Sequence, residues 1–185
     1  MVRQQKPLDQ LIINDEAILL TDSDIVNMTH GDANVLVYED LQKYNTIDDA
    51  FEGKPALVLL FQNTRNSGHW VALYKIKPNT MYYYDSYAFP MDSEIAFSKY
   101  LISIGMKTHP TLTYLIQKSG YKLVQNKIRF QTLSDSSSTC GRWCVHRINH
   151  RYMSDKDYAT LMLGNRHYNG DFWVSLLTLN LEDLQ

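Results

Sequence analysis

With 185 residues, 44% of them hydrophobic and 21% charged, the chain has the make-up of a soluble globular protein and the size of one domain. A formal net charge of −2 gives no overall attraction to nucleic acid. Its two cysteines, Cys140 and Cys144, stand too close for a disulfide framework and fit a reducing compartment, and Met1 to Leu11 hold no apolar run of signal-peptide or membrane-span length.

In chain order, Thr21 to Asp24 offer caps for a helix through Ile25 and Val26, and Thr46 caps another ending near Gly53. Pro55 to Gln62 is a continuous apolar run of the kind found in a strand buried on both faces. A polar turn, Asn63 to Gly68, leads to His69–Ile76; Lys77 to Thr80 then turn the chain into Met81–Asp85, which predicts a hairpin. Glu94 to Ile104 reads as an amphipathic helix, and Tyr121 to Gln131 as a loosely alternating strand followed by the polar loop Thr132–Thr139. From Cys140 the period becomes helical, with Trp143, Cys144, Ile148 and Tyr152 on one face. Ser154 to Asp157 form a capping pattern for a further helix, and Asp171 a cap for the last. The fold class is α+β in a single domain over 1–185: helical pieces to about residue 54, a sheet and core to about 153, then helices.

Cys140 carries the chemistry to look for. It begins a helix, and the unpaired N–H groups and positive dipole end at such a position favour a negative charge, as on a thiolate nucleophile. A free cysteine is more often a small buried hydrophobe. A nucleophile needs a base and the base an orienting group. His69 at the start of one hairpin strand and Asp85 at the end of the next fall at the same open end, about 5 Å apart across neighbouring strands. Taken alone, that pair is an ordinary turn histidine beside an ordinary strand-end aspartate. Gly141 admits close approach of a substrate carbonyl to the backbone. Zinc is set aside, because Cys140, Cys144, His146 and His150 on one helix face different directions and cannot close a tetrahedron. His146 and His150 are then surface or helix-end residues, Cys144 is core, and His30, His109 and His167 have no evident partner. Ser136 to Ser138 lack the glycine pattern of a serine nucleophile.

Gly68-His69-Trp70, followed by Asp85-Ser86 behind a tyrosine run, and then Gln131 and Thr139-Cys140-Gly141, resemble the signature of the SUMO-specific proteases and the adenovirus maturation protease. Asp24-Ile25-Val26, Val37 to Leu41 and Gly141 to Cys144 are similar to related capsid-maturation enzymes of virophages, Polinton-type elements and large DNA viruses. The resemblance implies a papain-like α+β cysteine endopeptidase with Cys140 as nucleophile, His69 as base, Asp85 as orienting acid and Gln131 as oxyanion donor, with Trp70 flanking the substrate's glycines. Gln131 lies further ahead of Cys140 than the family's glutamine does, which leaves Gln125 and Asn126 as alternatives, and Asp92 is the alternative to Asp85. A papain-type order with Cys144 catalytic fails, because that order puts the histidine far downstream of the cysteine. The implied partner is a polypeptide, a capsid or other structural precursor cut at Gly-containing sites. The expectation adds a monomer with no metal or other cofactor, no DNA requirement and no membrane contact, located in the virion and the host cytoplasm. Removal of SUMO or a similar modifier is the second enzymatic reading, and a non-catalytic binding module on a decayed protease fold is the third.

Overall fold

The computed structural model describes residues 7–106, 110–134 and 137–179; His109, Ser136 and the first six residues, all named above, lie outside the described residues. Five strands form one mixed sheet in the order β1 (Ala33–Val37), β2 (Ala56–Thr64), β3 (Ser67–Lys77), β4 (Thr80–Tyr84), β5 (Lys122–Gln125). The three central strands are antiparallel neighbours, and β1 and β5 add parallel pairs at the two edges. Helices flank the sheet, so the architecture is α+β. The helices are α1 (Pro7–Asp15), α2 (Asp22–Met28), α3 (Ile47–Phe51), α4 (Lys99–Ser103), α5 (Thr111–Lys118), α6 (Cys140–Asn149), α7 (Asp155–Leu163) and α8 (Gly170–Leu177). None of the described helices is long and apolar enough to cross a membrane.

Side-chain alternation divides the core in two. Val58, Leu60, Trp70, Ala72 and Tyr74 face α6, packing with Trp143, Cys144 and Ile148. Leu57, Leu59, Phe61, Val71 and Leu73 face the other way, onto Phe51 of α3 and Leu112 and Leu115 of α5. Strands covered on both faces read as near-continuous apolar runs, which is why β2 is so plain in the sequence. Thr21 and Thr46 each accept the N–H three residues on while Asp24 and Asp49 return the bond, two complete capping boxes that start α2 and α3.

Four expectations need correction. The N-terminal part is not purely helical, because β1 pairs in parallel with β2 from Ala33↔Ala56 to Val37↔Leu60. The expected helix from Glu94 to Ile104 is instead a 3-10 turn, Ser93–Ala96, and a separate α4 capped by Ser98, whose hydroxyl also donates to the Gln62 carbonyl and so breaks the helix. Only Lys122–Gln125 of the expected Tyr121–Gln131 strand joins the sheet. Asn169, not Asp171, caps α8; Asp171 is buried and turned to other work.

Candidate active site

Pairing register carries His69 and Asp85 to one end of the sheet. His69 lies opposite Phe61 on β2, and Tyr84, the residue before Asp85, lies opposite Ala72 on β3. Gly68 precedes the histidine where any side chain would strike the Phe61 carbonyl oxygen, 1.9 Å from an ideal Cβ, so only glycine allows this close strand crossing. His69 Nε2 lies 3.2 Å from Asp85 Oδ1, with both groups buried. Asp85 Oδ1 also accepts the Tyr87 N–H at 2.7 Å, and the Tyr87 ring stacks on the imidazole with centroids 4.8 Å apart. The Cys140 sulfur lies beside the imidazole, close enough to help raise its pKa. With Nε2 turned to the acid, Nδ1 is the ring nitrogen left for the sulfur.

Burial opposes a charge on His69, but the carboxylates of Glu94 and Asp85 and the Cys140 sulfur outweigh it and hold the imidazole's pKa well above its usual value. Cys144, one turn into α6, is fully buried, and that burial pushes its thiol well up. It is a core residue.

Asn126 fixes the acid from behind. Its Oδ1 accepts the Asp85 N–H at 2.9 Å and its Nδ2 donates to the Asp85 carbonyl at 2.7 Å. Both ends of that amide are thus committed to the Asp85 backbone, and Gln125 donates to the Phe89 carbonyl at 2.6 Å. Gln131 differs. The Ser86 hydroxyl donates to its Oε1 at 2.7 Å, and the Ser86 carbonyl accepts its backbone N–H at 3.0 Å. Anchoring the amide by its oxygen leaves the nitrogen, the donor end, available to an oxyanion. Asp92 is elsewhere, bound to Tyr38 Oη at 2.6 Å and to Thr113 N at 2.8 Å.

α6 is seated by directional bonds. Asp171 accepts from Thr132 N at 2.9 Å, Thr139 Oγ1 at 2.6 Å and Trp143 Nε1 at 2.9 Å, tying both ends of the loop before Cys140 to α8. Ser138 N donates to the Glu16 carbonyl at 2.7 Å. Arg142, buried, donates to Asp15 Oδ1 at 2.6 Å and to the Thr178 carbonyl at 3.0 Å. Gly141 sits where an added Cβ would come within 3.2 Å of Leu20 Cβ and Trp70 Cδ1, so its missing side chain serves helix-to-strand packing. Trp70 itself is only 4% exposed; its indole edges a cavity of about 400 Å³ that Leu19, Leu20, Asp22, Ser67 and Gly68 also line.

Of the two histidines expected at the surface or the helix end, His150 is the half-buried C-cap of α6, and His146 lies in the last turn but away from the surface. His146 is buried, with Nδ1 2.9 Å from Tyr158 Oη and its ring stacked on His150 at 4.2 Å. Tyr152, expected on the helix's apolar face, lies beyond its end and is 84% exposed. One group was not foreseen at all. Glu94, in the 3-10 turn, brings Oε1 to 3.5 Å from His69 Nε2. His69, Asp85 and Glu94 present ligand-type atoms within 4.8 Å of one another, a spacing that could also hold a cation. Nothing in local sequence spacing marks Glu94, because a loop and not a periodic element delivers it.

No protein-family profile matches the chain. Over 168 residues it is 32% identical to the uncharacterized protein V9 of Sputnik virophage, a match that spans 89% of this chain and 96% of that protein. Among solved structures it is similar to the SUMO protease Ulp1 with its catalytic cysteine oxidized to a sulfinic acid. That pairing covers 100% of this chain and 99% of the other at 13% identity, with a TM-score of 0.41.

Proposed function

The chain belongs to the family of protein V9 of Sputnik virophage, and we propose that it is a cysteine endopeptidase with the papain-like arrangement of the adenovirus and SUMO proteases. One observation supports this reading: His69 is hydrogen-bonded to the carboxylate of Asp85 at one end of the sheet, and the thiol of Cys140, at the start of α6, lies beside that imidazole. That is the nucleophile, base and orienting group of thiol acyl transfer.

In this mechanism the Cys140 thiolate attacks the scissile carbonyl carbon and the carbonyl electrons move to oxygen. Gln131 Nε2 and the Cys140 backbone N–H receive that oxyanion; removal of one such donor typically costs about 100- to 1000-fold in rate. The His69 imidazolium gives its proton to the leaving amine as the C–N bond breaks, which leaves a thioester. Water then attacks the thioester, losing its proton to His69, and the thiolate departs. Asp85 holds the ring's orientation throughout and stabilises its cation.

The substrate reading is an extended chain with glycine at the cut, drawn from a capsid or other structural precursor of a virophage. Leu20 and Trp70 crowd the space where Gly141, next to Cys140, lacks a side chain, and a passage narrowed by an indole admits glycine better than branched residues. The decisive assay incubates the protein with a capsid precursor, with Gly-containing peptides and with a SUMO fusion. The expected result is cleavage of the precursor and peptides, lost in Cys140→Ala and unaffected by duplex DNA at low salt. Cleavage of the fusion alone would instead make the protein a deconjugase. No turnover, with Cys140 unlabelled by a thiol-reactive probe at neutral pH, would make it a binding module.

A further inference from the structure

Two carboxyl groups face one imidazole in this site, and only one is needed to orient it. Glu94 comes from the 3-10 turn Ser93–Ala96, entered through Asp92 in the left-handed region at φ 62°. Asp92 is anchored on the far side by Tyr38 and Thr113, the latter through both N–H and Oγ1, so the turn is rigid. Glu94 Oε1 and Asp85 Oδ2 are both buried and neither has a donor. Two adjacent acceptors without donors each carry a desolvation cost of about 1–3 kcal/mol, and a single proton between them removes both. The charge count agrees. The thiol and imidazole together carry no net charge whichever of them holds the proton, so two ionised carboxylates would leave two net negative charges in a buried site, whereas one further proton leaves a single charge.

We infer that Glu94 is a positioning residue, a neutral carboxylic acid that donates its O–H to Asp85 Oδ2 and so keeps Asp85 ionised with Oδ1 committed to His69. The inference rests on the peptidase reading above. Burial, then the nearby Asp85 charge, outweighs the attraction of His69 and raises Glu94 to about 8, so the acid holds its proton at neutral pH. The other titratable groups around it are Tyr83 on β4, Tyr87 beyond β4, and Cys140 and Cys144 on α6, with Asp92 on its own segment. His69 is the cation among them. Above pH 8 the donor is lost, the two carboxylates repel and His69 Nε2 is shared between them.

The test combines infrared spectroscopy with kinetics. The wild-type protein, free of substrate, should show the C=O stretch of a protonated carboxylic acid at pH 7, fading with a midpoint near pH 8. Glu94→Gln, whose amide still donates to Asp85, should lose that band yet keep kcat within about 3-fold, and its activity should no longer fall with a midpoint near pH 8. Glu94→Ala should lower kcat about 10-fold with KM little changed. An absent band, a band that survives in Glu94→Gln, or full activity in Glu94→Ala would each overturn the inference. A band that appears only after chelation would also do so, by putting a cation where the proton is assigned. Because the band is read without substrate, a protein that shows it but cleaves nothing would uphold the shared proton and sink the peptidase reading. An active enzyme without the band would do the reverse.

Discussion

The two faces of the sheet solve the same burial problem with different materials. The face toward α3 and α5 is closed by aliphatic and aromatic packing, from Leu57 and Leu59 to Leu112 and Ile116. The face toward α6 buries that kind of surface too, but threads it with Arg142, His146, Arg147, Asp171 and Thr139, all of them buried. Arg147 shows what this requires. Its guanidinium lies 4.7 Å from the Tyr158 ring centroid and donates to the His150 and Met153 carbonyls and to Asp155. Apolar packing fixes a helix's depth against a sheet but leaves it free to slide by tenths of an ångström, whereas hydrogen bonds fix its rotation and register. The face that bears Cys140 uses the second means.

Cys140→Ala breaks the contrast at its sharpest point. Turnover should fall at least about 1000-fold, while the midpoint of chemical denaturation barely moves. Next come paired losses of similar size on the two faces. Asp171→Ala removes the acceptor of three hydrogen bonds, two of them fully buried, and should cost about 3 kcal/mol; Leu59→Ala should cost about 2–5 kcal/mol through a cavity. Only Asp171→Ala should also lower kcat per folded molecule, as active-site titration would show, because only it loosens the loop before Cys140. Equal kcat in the two variants would erase the distinction between the faces.

His146 sharpens it through pH. Burial, then the charges of His150 and Arg147, lower its pKa to about 3. Between about pH 6.5 and 3 the unfolded chain takes up a proton that the folded one refuses, so stability from this group falls as pH falls, by up to about 1.4 kcal/mol per pH unit. Denaturation curves across that window should show the slope, and His146→Asn should flatten it. Glu94 acts with the opposite sign: between its ordinary value of 4.5 and about 8 the folded state keeps a proton that the unfolded state has lost, so its contribution declines as pH rises. The smallest effect belongs to the edge of the apolar face. Asp48→Ala removes a half-exposed ion pair with Lys75 and should change stability by no more than about 1 kcal/mol, and less at high salt.

What the sequence discloses about this site follows element boundaries. Cys140 stands where a helical period begins, and His69 and Asp85 bracket a hairpin whose turn is written in Lys77-Pro78-Asn79-Thr80. Local rules suffice for such residues. Glu94, Asn126, Ser86 and Asp171 lie beyond those rules, since their partners are tens of residues away and are chosen by the tertiary fold. His146 escaped for another reason. An amphipathic reading grants every helix a wet side, but α6 is buried from Cys140 through Ile148, so its polar residues are interior as well. β1 was missed because a five-residue parallel edge strand takes its register from β2 and carries little alternation of its own.

Arg142 has a consequence for the order of events during synthesis. Its buried guanidinium donates both to Asp15, which precedes it by 127 residues, and to the carbonyl of Thr178, which follows it by 36. A nascent chain has Cys140 made 38 residues before Thr178, and until then the guanidinium two residues from the sulfur is without the Thr178 carbonyl. On the peptidase reading, the helix that carries the sulfur is therefore fully seated only after the chain has been made through Thr178.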